Sequence, residues 1–286
     1  VIAAAVLVGA GTAFVYALAR EMRTPGDQSA ARGSDMYSSP EGAAGSAPAT
    51  TTTTPSPPPQ SAPPPANQVL PFNAKLTSDD IPTPDGGVRG GACSGSLVAP
   101  QWVVTAGHCF HDVRDRPVSG KPPYTMKVVV GKLKDSDPGG HTAEVVDVRQ
   151  SRVNDLAVVK LSVPVTDVTP LRLSEVKPKA GQKLRFAGWG SLSPTVIKPS
   201  DHLKRGEFTV AKINSATLEV QSVVPKTVEN SPCKQDSGGP FFTSDDDRTG
   251  TLVAIVNNGP TCPQPGRETV ARIDVVADWI TQQIGA

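Results

Sequence analysis

Neither sign of charge is in excess in this 286-residue chain: 28 Lys and Arg stand against 27 Asp and Glu, a formal net charge of +1. A surface that holds nucleic acid needs a basic excess, so that function is not expected. Cysteine is scarce, with four in all, and no two stand as Cys-x-x-Cys. This excludes a disulfide-dense miniature scaffold and a zinc ribbon. No acidic cluster reads as a metal site; Asp245-Asp246-Asp247 reads as a solvated hairpin loop, and neither metal nor cofactor is expected. No internal repeat suggests a solenoid. Aromatic residues make up 5% and apolar residues 37% of the chain, against 29 Pro and 26 Gly. The apolar share is low for a packed core because the average covers three unlike regions.

The first is Val1 to Ala19, which carries no charge and has Thr12 and Tyr16 as its only polar side chains. Its length suits a helix that spans a bilayer. Ala17-Leu18-Ala19 also has the small-x-small form of a signal-peptidase site, so a transmembrane anchor and a signal-peptide segment both fit. A buried core helix is the blander reading, but nothing structured follows to bury it. Residues 20–68 come next. From Pro48 to Pro65, eight of 18 residues are Pro and five consecutive residues are Thr. Such a stretch cannot bury enough apolar surface to offset its ordering entropy, so a disordered, partly polyproline spacer is expected. It suits O-glycosylation, although a plain spacer needs no sugar.

Residues 69–286 hold every cysteine and histidine. Short β-branched runs recur there between Gly, Pro and Asp clusters: Met126 to Val130, Glu144 to Val148, Leu156 to Leu161, Leu184 to Ala187, Thr217 to Val220 and Thr251 to Val256. They predict an all-β sandwich or barrel. Only the C-terminus has helical spacing, at Val276, Trp279, Ile280, Gln283 and Ile284, with Asp274 placed as N-cap.

Three local patterns carry chemistry. His108 stands in Thr105-Ala106-Gly107-His108-Cys109 after the strand-like Trp102-Val103-Val104, where small residues allow a tight turn at a strand end. His111, His141 and His202 lack such a context and read as surface residues. Asp155 opens the apolar run Leu156 to Leu161; it is either an exposed turn residue or a buried acceptor that orients an imidazole, since burial without a partner is costly. Ser237 stands in Cys233-Lys234-Gln235-Asp236-Ser237-Gly238-Gly239-Pro240. A serine hydroxyl needs a base to become a nucleophile, and flanking Gly lets a substrate backbone approach.

Taken together, residues 69–286 resemble a trypsin-like (chymotrypsin-fold) serine protease. Thr105 to Cys109 resembles the family's T-A-A-H-C, Asn154-Asp155-Leu156-Ala157 its aspartate motif, and Gln235 to Pro240 its G-D-S-G-G-P. The order His, Asp, Ser fits this family rather than subtilisins or α/β-hydrolases. Cys93 to Val98 resembles C-G-G-S-L-I, Ala187-Gly188-Trp189-Gly190 resembles S-G-W-G, and Val276 to Ile280 resembles the closing helix. The resemblance implies two six-stranded antiparallel β-barrels with a catalytic cleft between them and a C-terminal helix. It implies His108 as general base and acid, Asp155 as its orienting partner and Ser237 as nucleophile. It also implies the disulfides Cys93–Cys109 and Cys233–Cys262, where four cysteines alone allow three pairings. Such bonds fit an exported domain.

The chain departs from the family pattern in three places. Gln235 stands where the family has a Gly whose N–H joins that of Ser237 in the oxyanion hole; the donor survives, but the β-carbon restricts the dihedrals that aim it. No I-V-G-G-like start precedes Pro71, so Asp236, which pairs with the new amino terminus in trypsin-like zymogens, needs another partner. An internal Lys or Arg is expected, as in some bacterial members of the fold, without a residue being singled out; the alternative is that Asp236 faces water and leaves the site near Gln235 malformed until substrate or a partner orders it. Ser231 replaces the Asp at the base of the trypsin specificity pocket, which suggests apolar or aromatic side chains, rather than Arg or Lys, on the acyl side of the scissile bond (P1). Glu268 falls near the back wall, where a carboxylate suits a basic P1 side chain. Asn257, Asn258 and Gly259 replace the S-W-G that pairs with the substrate backbone.

The expected function is an exported serine endopeptidase, secreted or held at the cell surface through residues 1–19, acting as a monomer on polypeptides. The alternative is a protease-like domain that binds peptides with little or no catalysis.

Overall fold

The computed structural model describes residues 70–285. The apolar segment expected at residues 1–19 and the spacer expected at 20–68 lie outside the described residues.

Six strands form the first barrel: β1 (Asn73–Pro82), β2 (Val88–Ala99), β3 (Trp102–Thr105), β4 (Lys127–Val130), β5 (His141–Gln150) and β6 (Ala157–Leu161). They close in the order β1-β2-β3-β6-β5-β4, each pair antiparallel. The short β7 (Arg172–Leu173) leads into the second half, with β8 (Lys183–Gly188), β9 (Lys204–Ile213), β10 (Thr217–Ser222), β11 (Pro240–Thr243), β12 (Thr251–Asn258) and β13 (Glu268–Arg272). These strands run in the order β11-β8-β9-β10-β13-β12, and pairing of β11 with β12 closes a second six-stranded barrel. β7 adds to β12 in parallel outside that ring. All six strand runs anticipated from the β-branched pattern are strands.

Closure removes free sheet edges, and inward side chains fill each barrel. Leu76, Leu97, Val104, Val128 and Val159 are fully buried in the first. In the second, Phe186, Phe208 and Phe241 meet with ring centroids 5.1–6.2 Å apart. Burying a side chain of this kind contributes about 1.5–3 kcal/mol.

The helix α1 (Ala277–Ile284) buries Ala277 and Ile280 and ends at Gly285 in the left-handed conformation, with φ 72°. Its N-cap position is Val276, without a side-chain cap. Asp274 does not cap it, because Arg272 takes both carboxylate oxygens, at 3.0 and 2.5 Å; a charged partner outcompetes a backbone N–H here. Arg149 donates to the carbonyl of Gln283 near the helix end, where carbonyls lack intrahelical partners. Among the described residues no helix is long and apolar enough to cross a membrane.

Candidate active site

Strand β3 ends in a single 3₁₀ turn, Gly107–Cys109, which carries His108. Three contacts pin this turn. Thr105 Oγ1 donates to the carbonyl of Ser94 at 2.7 Å, and the Cys93–Cys109 disulfide joins the turn to β2. Gln150 Nε2, from the end of β5, reaches the carbonyls of Gly107, Phe110 and Val118 at 3.1–3.3 Å. Asp155 faces the turn from the loop before β6. Its Oδ1 accepts the His108 backbone N–H at 2.8 Å, and its Oδ2 lies 2.6 Å from Nδ1 of the same residue. An ionised carboxylate only accepts, so in the neutral ring the proton sits on Nδ1 and the lone pair is on Nε2. Burial pushes the Asp155 carboxyl up, but the ring hydrogen bond, the ring charge and the His108 N–H together hold it below the ordinary carboxylate value. The preceding Asn154 donates to the carbonyl of Arg272 at 2.8 Å and so ties this loop to the second barrel.

Ser237 lines the same cleft as His108, a space of about 760 Å³. Among the described residues the two side chains share no hydrogen bond; catalytic bonds of this kind commonly tighten only with substrate bound. The backbone around Ser237 is fixed by its carbonyls. That of Lys234 accepts Ser191 N–H at 2.8 Å, and that of Asp236 accepts Gly239 N–H at 2.8 Å. A trans peptide points its C=O and N–H in opposite directions, so the N–H groups of Gln235 and Ser237 turn away from those partners. Neither has a protein acceptor among the described residues. Gln235 reaches this arrangement at φ 74°, a left-handed conformation that costs a residue with a β-carbon about 1–2 kcal/mol. Its carbonyl faces Ser94 Oγ at 3.4 Å.

Beneath Ser237, Asp236 is fully buried. Lys204 Nζ, from the start of β9, lies 2.5 Å from its Oδ2, and the N–H groups of Cys233 and Gly190 donate to it at 2.8 and 2.7 Å. Both side chains of the pair are 0% exposed. Burial pushes the carboxyl up, against the Lys204 charge and hydrogen bond and the two N–H groups. Gly190 is required at this point, since a β-carbon there would overlap the Asp236 carboxylate. Lys204 is thus the internal cation that the sequence called for without indicating its position. Lys204 and Gln150 carry no local motif, and neither was singled out from sequence.

The profile described as Trypsin matches residues 63–280. The chain belongs to the trypsin family. It is 30% identical over 223 residues to serine protease 56 of Mus musculus, covering 68% of this chain and 35% of that protein. It is 27% identical over 212 residues to transmembrane protease serine 5 of Homo sapiens, covering 66% and 45%. The chain therefore spans less than half the length of these two relatives. Its fold resembles that of HL collagenase, with a TM-score of 0.58 at 24% identity, over 76% of this chain and 94% of that one.

Against the trypsin-family frame, the residues expected around the specificity pocket separate into two groups. Asn257, Asn258, Gly259 and Glu268 line the cleft. Asn257 sits where the register between β12 and β13 slips, and Asn258 Oδ1 accepts the Gly259 N–H at 2.8 Å. A substrate strand pairing with Gly259 would have to displace that side chain. Ser231 does not line the cleft. It is fully buried, with Oγ donating to the carbonyl of Thr227 at 2.5 Å, so its hydroxyl is spent on the loop beneath the pocket. Glu268 is not a free carboxylate either: Lys226, also unmarked in the sequence, donates to its Oε1.

Cys233–Cys262 closes the wall beside Ser237. The three other histidines each meet surface carboxylates: His111 meets Asp115, His141 meets Asp167, and His202 meets both Asp201 and Glu229. The acidic run is not wholly solvated. Asp246 is exposed, but Asp247 is buried at φ 56° and accepts from Arg185.

Proposed function

We propose that this chain is an exported serine endopeptidase in which Ser237, His108 and Asp155 act as one unit. The observation that carries the reading is the Asp155–His108 pair opening onto the cleft that Ser237 lines, beside two unpartnered backbone N–H groups. In this mechanism His108 Nε2 takes the Ser237 proton as Oγ bonds to the substrate carbonyl carbon. The carbonyl oxygen becomes an oxyanion and accepts from the N–H groups of Gln235 and Ser237. The intermediate collapses, the C–N bond breaks, and the imidazolium passes its proton to the leaving amine. Water, deprotonated by the same ring, then hydrolyses the acyl-enzyme ester. Asp155 stabilises the imidazolium throughout.

Export is supported by two disulfides at the edges of the site, which persist in oxidising compartments. In this reading residues 1–19 carry the domain out or tether it, and residues 20–68 space it from the membrane. The test is labelling of the folded chain with a fluorophosphonate, which bonds to an activated serine and releases fluoride. An adduct on Ser237, absent in Ser237→Ala, is expected. Folded protein that takes no label would overturn the endopeptidase reading and favour a peptide-binding domain without catalysis.

A further inference from the structure

Glu268 opens β13 at the back of the cleft and is 2% exposed. Its Oε2 lies against Gly259, where a β-carbon would overlap the carboxylate. Glu268 and Gly259 both line the cleft, and in the endopeptidase reading an incoming P1 side chain would meet the carboxylate here. Its other oxygen, Oε1, is taken by Lys226, from the loop between β10 and β11. Glu268 lines the cleft and Lys226 does not, so the ammonium approaches from the protein side. Its side chain is 5% exposed, so it has little freedom to swing away. Burial pushes the Glu268 carboxyl up, while Lys226 acts to lower it; the nearby Asp236 and Lys204 charges oppose one another.

A cation entering the pocket would therefore meet a carboxylate that is already neutralised. It would also come to rest near a second cation that cannot move out. In a site shielded from water, like-charge repulsion at such range is poorly screened. An acidic side chain fares no better, because the group it meets first is Glu268 and Lys226 stands behind it.

We propose that Lys226 is the specificity-determining residue of this cleft: it takes on Glu268 the place that a basic P1 side chain would occupy, so the protein selects uncharged P1 side chains. This deepens the endopeptidase reading, but its test does not depend on catalysis.

The probes are p-aminobenzamidine, an aromatic cation of the size of a basic P1 side chain, and its uncharged isostere p-aminobenzamide. Binding to the full chain is followed by fluorescence or calorimetry. The unaltered protein should bind the cation no tighter than the amide. A preference for the cation of tenfold or more would overturn the proposal. In Lys226→Met, with folding checked by thermal unfolding, the cation should bind at least tenfold tighter than in the unaltered protein. That gain should vanish in Lys226→Met/Glu268→Gln. A folded Lys226→Met protein without the gain would also overturn the proposal. If Lys226→Met does not fold, the comparison of the two probes on the unaltered protein decides. Failure of the catalytic reading would show separately, as absent fluorophosphonate labelling.

Discussion

The two barrels hold their charges differently. On the first-barrel side of the cleft, the proposed catalytic pair His108–Asp155 is 38% and 30% exposed at its side chains. The second barrel carries three pairs in which both partners are nearly dry: Lys204–Asp236, Lys226–Glu268 and Arg272–Asp274. The proposed chemistry accounts for the contrast. His108 must gain and lose a proton in each cycle, and nearby water eases that change of charge. The buried pairs take no part in the proposed proton transfers and hold backbone in place. Such pairs add little net stability over apolar packing, yet removing one partner leaves an uncompensated buried charge.

Four substitutions sharpen the contrast, the largest effect first. Asp155→Asn should slow fluorophosphonate labelling about 10³- to 10⁴-fold, because an amide favours the wrong ring tautomer, while urea unfolding shifts little. A large stability loss would place this pair with the buried ones. Lys204→Met should do damage of both kinds. Stability should fall by about 3–5 kcal/mol and labelling should drop with it, while Lys204→Met/Asp236→Asn recovers much of the stability. An unchanged unfolding midpoint in Lys204→Met would show that the pair holds nothing.

Gln235→Gly removes the left-handed strain and a buried side-chain oxygen, Oε1, that has no partner among the described residues. After the added backbone entropy of glycine, a gain of about 1 kcal/mol is expected, with labelling within a few-fold of the parent. A rise of 10² or more would mean that the native hole is misaligned.

The smallest effect is at the surface. Hydrogen bonds that the ring donates to Glu229 and Asp201 raise the His202 pKa above its ordinary 6.5. Its contribution to stability is therefore complete below pH 6.5 and is lost as pH rises through the raised value. Thermal unfolding scans across that range should show a slight decline that His202→Gln flattens; an identical slope in both proteins would contradict the assignment.

The same contrast explains what could be read in the sequence. Strand runs and the three motifs are local, so β-branched spacing marked an all-β domain, while the two barrels and the roles of His108, Asp155 and Ser237 came from the family resemblance that the motifs carry. The buried pairs join residues far apart in sequence: Lys204 lies 32 residues from Asp236, and Lys226 lies 42 from Glu268. A lysine at the start of a strand or in a loop reads as solvated until the topology brings a carboxylate to it. Glu268 lines the cleft, but its neutralisation could not be seen in the sequence. Ser231 and Asp274 misled for a related reason, because each found a partner that its position in the sequence did not reveal: the Thr227 carbonyl for one and Arg272 for the other.

The central claim is that Lys204 holds the Ser237 loop from within, so no new amino terminus is needed. The direct measurement is the rate of fluorophosphonate labelling at Ser237 in the uncleaved chain with its N-terminus blocked, compared with proteolytically trimmed forms. Equal rates are predicted. Labelling that begins only after a cut exposing a defined new N-terminus would contradict the claim.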